Sequence, residues 1–359
     1  MTAAMTLAFV TTLWAQDDKL IEGKSAPGLD IEEWVKGPET TIGPGKVYIL
    51  EFWAPRVEAC KRAMPILSSL QKDYRDDGLV VIAVTGDIIL SRADGSDSRQ
   101  IDLDQIKSFV RREGDRMDFV VAYDRRDGTF RAWMDGAEKK EIPTAFIVDR
   151  QGKIARIGSP LDDNFRRIVR LVLSGRYDPA LQRQADPMIA AARKARKERN
   201  WRVAMKQYDD VVNVDNRIFA DMAQEKFEMM VMDMQDKAEA YKYVRETLIA
   251  KTYANDAEAL RMIAEKISTD PKIDPSARDY DVALAAAEAA QRLAGPEDAQ
   301  SLNTLALVRF QRGDLAKAAD LQKQAWMLAP PKYKAEFGRT MRSYQEAVQR
   351  SADKPANSK

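Results

Sequence analysis

The chain has 359 residues, room for two or three domains of ordinary size. It is 45% hydrophobic and 31% charged, the balance of a soluble globular protein, and its formal net charge of +1 gives no overall field that would select nucleic acid or an anionic membrane. Histidine is absent and cysteine occurs once, which excludes histidine-based triads, histidine general bases, most zinc sites and any disulfide within the chain.

Residues 1–16, MTAAMTLAFVTTLWAQ, are apolar and uncharged, with small residues near Ala15. They read as the apolar core of a secretory signal, although no Lys or Arg precedes them, and they are too short for a comfortable membrane span. Pro27, Pro38 and Pro44 break the mixed stretch that follows, and Gly43-Pro44-Gly45 forms a turn into the first strong element. That element is Val47 to Phe52, short, apolar and rich in β-formers, the pattern of a strand covered on both faces. Glu51 interrupts it, and a carboxylate in such a place is paired, protonated or functional. A helix is expected from near Val57 to about Arg75, with Cys60 in its first turn, where the helix dipole and free backbone N–H groups favour thiolate. Asp76-Asp77-Gly78 stops that helix.

Leu79 to Thr85 is a second buried strand, so strand, helix and strand form a βαβ unit with parallel strands. A polar loop is expected from Gly86 to Ser98, then a helix from Ile101 to Arg112, a strand from Phe119 to Ala122 and a short helix from Phe130 to Ala137. Pro143 opens the strand Ala145 to Val148. Asp149 to Gly152 makes a hairpin turn, Lys153 to Ile157 pairs back, and Asn164 to Leu173 closes this part as a helix.

The segment Val47 to Pro65 resembles the active-site segment of thioredoxin-fold proteins, and most closely the TlpA-like, redoxin-type branch of bacterial envelopes. That family writes Phe-Trp-Ala-x-x-Cys-x-x-Cys-(Lys/Arg), often with Met-Pro a few residues on. Phe52-Trp53-Ala54, Cys60-Lys61 and Met64-Pro65 fall in that register, and Glu51 falls where the family carries its buried acid. Val57 stands at the first cysteine, so the attacking thiol is missing and the resolving one remains. The resemblance implies that Pro143 is cis and faces the thiol position. The site residues it implies are Cys60, Glu51 and Pro143, either vestigial or as a one-cysteine site, with no cofactor and no metal.

From Ala180 on, glycine nearly disappears, alanine becomes frequent and helical spacing dominates. Leu302 to Pro330 fits the roughly 34-residue tetratricopeptide pattern: Leu302, Leu305 and Ala306 pack in the first helix, Gly313-Asp314-Leu315 turns, and Ala318 and Ala325 allow close approach in the second. Trp201 to Val211, Asp279 to Ala290 and Phe219 to Lys251 supply further hairpin pieces. The alternative is an irregular helical bundle. The basic run Arg193 to Lys197 reads as a solvated helix face, with no aromatic platform for nucleic acid.

The expected organisation is a signal peptide at 1–16, an α/β thioredoxin-like domain at 17–178, an all-α TPR-like helical-hairpin domain at 179–350 and a disordered tail at 351–359. Disulfide exchange needs one thiolate to attack and a second thiol to resolve, so Val57 removes the intramolecular cycle. Three readings stay open. The first is a protein-binding platform with the helical domain as partner surface. The second is one-cysteine redox chemistry, with Glu51 accepting the Cys60 proton. Its weaker form is a peroxidase, since peroxiredoxins carry Thr three residues before their cysteine and Val57 has no hydroxyl. The third is a structural or assembly protein. All carry the same expectations of place: periplasmic or secreted, no nucleic acid, and no integral span after signal removal.

Overall fold

The computed structural model of the chain describes residues 19–86, 89 and 103–352. The expected signal at 1–16, nearly all of the polar loop after Gly86 and the tail beyond residue 352 lie outside the described residues. The chain divides into two compact units between Pro179 and Ala180.

The first unit is built on a six-stranded sheet. Its strands are β1 (Glu33–Lys36), β2 (Val47–Phe52), β3 (Leu79–Gly86), β4 (Val120–Asp124), β5 (Thr144–Val148) and β6 (Ile154–Gly158), in the order β1-β4-β3-β2-β5-β6. β2, β3 and β4 run parallel, while β1, β5 and β6 are antiparallel to their neighbours. Every residue of β2 is buried, Glu51 included, as the apolar run around it predicts for a strand covered on both faces. Helix α1 (Glu58–Tyr74) makes the crossover from β2 to β3, and α2 (Leu103–Glu113) lies between β3 and β4. After α1 the chain turns at Gly78, whose φ of +89° is the left-handed region that glycine enters without a Cβ clash. This mixed sheet with its helices is the thioredoxin-like α/β arrangement expected from the sequence.

Two elements differ in detail from the expectation. The helix expected at Phe130 to Ala137 starts earlier, at Gly128–Phe130, and continues as a π-helix over Arg131–Asp135. It sets Phe130 and Trp133 against the sheet, edge-on to Phe52 and Phe146 at centroid distances of 6.0 and 5.2 Å. The strand expected at Phe119 to Ala122 extends to Asp124, because β4 stays in register with β3 as far as the Gly86–Asp124 pair. Helix α3 (Phe165–Leu173) closes the unit.

Both edges of the sheet are occupied or blunted. The segment Gly23–Ala26 runs along β6, exchanging backbone hydrogen bonds of 2.7–2.9 Å with Gly152 and Ile154 and an isolated bridge at Ser25–Lys153. β1 at the other edge has a register shift between Trp34 and Lys36, and Lys36 reaches the Met117 carbonyl at 2.7 Å.

The second unit is helical. Its elements are α4 (Pro179–Lys197), α5 (Trp201–Val214), α6 (Ala220–Glu228), α7 (Lys237–Tyr243), α8 (Ala257–Thr269), α9 (Tyr280–Ala294), α10 (Ala299–Gln311), α11 (Leu315–Leu328) and α12 (Pro331–Ala352). α6 and α7 pass into π-helices, Met229–Asp233 and Val244–Thr252. From α8 to α12 each helix packs on the next, and α8 also packs on α10. Ala283, Ala287, Ala290, Ala306, Ala318 and Ala325 are fully buried, and their small side chains let the helix axes approach closely. α12 runs through Ser351 to Ala352, so the first two residues of the expected tail are helical.

The basic run on α4 is not simply a solvated face. Arg193 forks onto Glu225 of α6 at 2.6 and 3.1 Å, and Arg196 donates to Asp233 at 2.5 Å. A single sequence shows the charges of one helix but not the acids that a later helix brings up to them.

Candidate functional site

The site lies where the parallel strands end. β2 stops at Phe52, and the Trp53 amide still donates to the Val84 carbonyl at 3.1 Å, so the chain leaves the sheet in extended form. The Val57 amide then donates to the Ala54 carbonyl at 3.3 Å, a tight turn that aims α1 back across the sheet. Val57 occupies the N-cap of α1 with extended dihedrals, φ −88° and ψ 113°, and no side chain caps the helix. Pro65 inside α1 cannot donate to the Lys61 carbonyl, which instead takes the Arg116 guanidinium at 3.4 Å.

Cys60 sits in the first turn of α1 and is fully buried, while Val57 is half-buried above it. Burial pushes the Cys60 thiol up to about 12; hydrogen bonding from the Ala54 backbone opposes the rise, and the negative charge of Glu51 adds to it. The thiolate that the helix N-terminus would favour is therefore outweighed by desolvation. Glu51 is 1% exposed, and burial holds its carboxyl well above the usual carboxylate range. Lys61 does not relieve it, because its ammonium pairs with Glu58 at 2.5 Å.

The sheet register brings the third expected residue to the same end. Phe52 faces Thr144 across the β2–β5 ladder, so Pro143, one residue before β5, stands at the exit of β2. Its bond to Ile142 is cis. The fold thus gathers Glu51, Cys60 and Pro143 at one end of the central strands.

Asp124 also lies at this end of the sheet, and no sequence motif pointed to it. It ends β4, is fully buried, and accepts a hydrogen bond from the Phe130 amide at 2.7 Å, while its Oδ1 has no hydrogen-bond partner among the described residues. Burial first, then the charges of Asp127 and Glu32, push its carboxyl up to about 6. Its only sequence signal was an acid closing an apolar strand. Beside the Val57 turn, Pro55, Arg56, Lys61, Asp104, Phe109 and Arg112 border an open groove of about 560 Å³. Among the described residues no group of three or more acids or thiols is placed to hold a metal ion, and no helix is long and apolar enough to cross a membrane.

As chemistry, the site offers one shielded thiol and a buried acid. A dithiol exchange cycle needs a second thiol within reach of the first, and the chain has only one cysteine.

Residues 29–157 match the family model described as the AhpC/TSA family. The thiol-disulfide oxidoreductase ResA of Geobacillus kaustophilus is 26% identical over 158 residues, covering 43% of this chain and 79% of that protein. Protein FixW of Rhizobium leguminosarum is 26% identical over 137 residues, covering 38% of this chain and 59% of that protein. Among solved structures, a thiol:disulfide interchange protein of the thioredoxin family from Chlorobium tepidum is 21% identical with a TM-score of 0.33, covering 42% of this chain and 95% of that one. The family model and the sequence relatives support a TlpA/ResA-like, redoxin-type thioredoxin-fold family for the first unit.

Proposed function

We propose that this protein is a thioredoxin-fold binding platform that has given up dithiol exchange and works at the cell envelope. The observation that carries the reading is the pair Val57 and Cys60. The outer position of the motif holds a side chain that cannot attack, and the inner one is fully buried with its thiol pushed up to about 12. The fold of a redox protein is kept, and fold alone is not activity. The helical unit, read as a TPR-like array of hairpins, is the partner surface. The apolar leader supports export, with the thioredoxin-like domain at 17–178 and the helical domain at 179–350 folding as separate bodies.

The test is thiol chemistry on the full chain. Insulin reduction by dithiothreitol should proceed no faster with the protein than with buffer, and hydrogen peroxide should not be consumed. Iodoacetamide should label Cys60 slowly at neutral pH in the native protein and rapidly after denaturation. Rapid native labelling with an apparent pKa below that of free cysteine rejects the platform reading in favour of one-cysteine chemistry, with Glu51→Gln as the next variant. Val57→Cys restores a Cys-x-x-Cys arrangement and should gain insulin reductase activity. Limited proteolysis should cut first between Tyr177 and Asp186 and leave two resistant fragments; equal cutting from Ala190 to Gln349 counts against a packed helical domain.

A further inference from the structure

We propose that Glu51, Trp53 and Thr85 enclose an internal water-binding site beneath the first turn of α1. The three side chains are 1%, 1% and 0% exposed. Each carries a buried polar atom with no hydrogen-bond partner among the described residues: Glu51 Oε1, Trp53 Nε1 and Thr85 Oγ1. Buried polar groups are almost always satisfied, so three orphans at adjoining positions identify a shared ligand.

Their positions are adjoining by register. Glu51 is paired with Ala83 in the parallel β2–β3 ladder, and Thr85 lies two residues beyond Ala83 on the same face. Trp53 lies two residues beyond Glu51, and its amide bond to Val84 keeps the chain alongside β3. Phe52 points to the opposite face, where it meets Phe130 and Phe146. Cys60 belongs to the Glu51 face, since the Glu51 charge acts on its thiol.

The same register flanks Glu51 with Ala83 on β3 and Ala145 on β5, alanine being the smallest side chain a strand can offer short of glycine. The chemistry of the three groups selects water. An indole N–H can only donate, a threonine hydroxyl can donate and accept, and a carboxyl accepts whether or not it is ionised, so the occupant must accept from one wall and donate to another. A bare cation cannot accept from the indole N–H, and an anion without a proton cannot donate to the carboxyl. Water has two donors and two acceptors and needs two to four polar partners. This site does not depend on whether Cys60 reacts, and its test is independent of the platform reading.

Thr85→Val in the full chain is the decisive variant, because it keeps the shape and removes only the hydroxyl. With water bound, the change deletes one of its partners, and the Tm of the first unit should fall by about 2–4 °C. With a dry, orphaned hydroxyl, the change removes an unsatisfied group, so a Tm that rises or stays level overturns the proposal. A second measurement does not rely on stability. The Trp53 indole proton, assigned with Trp53→Phe, should show a rotating-frame cross-peak to a long-lived water. Ala83→Val should fill the room beside Glu51 and abolish that cross-peak, whereas Ala83→Gly should keep it. Absence of the cross-peak in the unaltered protein, or its persistence in Ala83→Val, overturns the proposal.

Discussion

In the helical unit, Asp236, Asp256, Asp279 and Asp298 each close a helix N-terminus by accepting backbone N–H groups with their carboxylates. In the sheet-bearing unit, neither Val57 before α1 nor Asn164 before α3 caps its helix with a side chain, which is also true of Asn200, Phe219 and Asp314 before α5, α6 and α11. Buried charge separates the units more clearly. Lys226, 6% exposed, puts its ammonium between both oxygens of Asp209 at 2.7 and 2.8 Å. Glu225 takes Arg193 and the Tyr208 hydroxyl, and Glu228 takes Lys266. Among the described residues of the first unit, Glu51, Trp53, Thr85 and Asp124 leave polar atoms unpartnered together at one end of one sheet, whereas the unpartnered atoms of the helical unit, on Arg278, Gln291, Ser301 and Gln322, are spread over successive elements. One unit uses its polar groups to hold helices together. The other keeps polar groups where they cost stability, the pattern expected when a site was arranged for chemistry before it was arranged for folding.

The largest effect should come from breaking a pair in the helical unit. Asp209→Ala takes the half-exposed carboxylate away from the buried Lys226 ammonium, leaving it, among the described residues, only the face of the Tyr243 ring, and should cost about 3 kcal/mol in urea denaturation. Lys226→Met in the same background should restore most of the loss. A neutral Asp209→Ala would erase the contrast between the units.

Asp124 tests the other side. Its folded pKa is raised from 3.8 to about 6, so the folded chain holds a proton that the unfolded chain has released. The stability from this group is fully present below about pH 3.8 and is lost as pH rises through about 6. Asp124→Asn keeps an acceptor for the Phe130 amide and cannot ionise. The difference in unfolding free energy between variant and parent should grow in favour of the variant across that window, reaching roughly 2–3 kcal/mol near neutral pH at ~1.4 kcal/mol per unit. A parallel pair of profiles would show that Asp124 titrates alike in both states.

The smallest effects are the caps, with opposite signs in the two units. Asp298→Ala removes the acceptor for the Ser301 amide and should cost about 1 kcal/mol. Val57→Ser supplies an acceptor at a position whose backbone is already extended, and should gain roughly 0.5 kcal/mol after the lost packing of valine. A loss at Val57 comparable to that at Asp298 would mean that the turn is tuned for the valine itself.

Much of the first unit was legible because its signals are local. The β2 run, the Gly78 turn and the register from Phe52 to Pro65 fix strand, helix and site within a few residues of one another. Glu51, Cys60 and Pro143 were readable because a family motif spaces them. Thr85 and Asp124 were not, since each is a lone polar residue ending an apolar run, and its burial depends on which strand lies alongside. The role of Arg193 and Arg196 was misjudged for the same reason: their acids are on α6 and in the π-helix that follows it. Trp53 was visible only as a letter of the motif, because an unpaired indole N–H is a property of its surroundings.

The covered sheet edges bear on how the first unit meets other chains. An open edge strand invites another strand to add to it, the route to domain swapping and fibrils. Gly23–Ala26 occupies the β6 edge with its own backbone, and the bulge and Lys36 spoil the β1 edge as a template. Among the described residues, the β6 ladder is therefore taken and the β1 ladder is a poor template, which favours recognition of a partner by side chains. Removing residues through Ala26 would uncover the β6 edge. The shortened protein would then self-associate through strand pairing, and concentration-dependent light scattering would register the change.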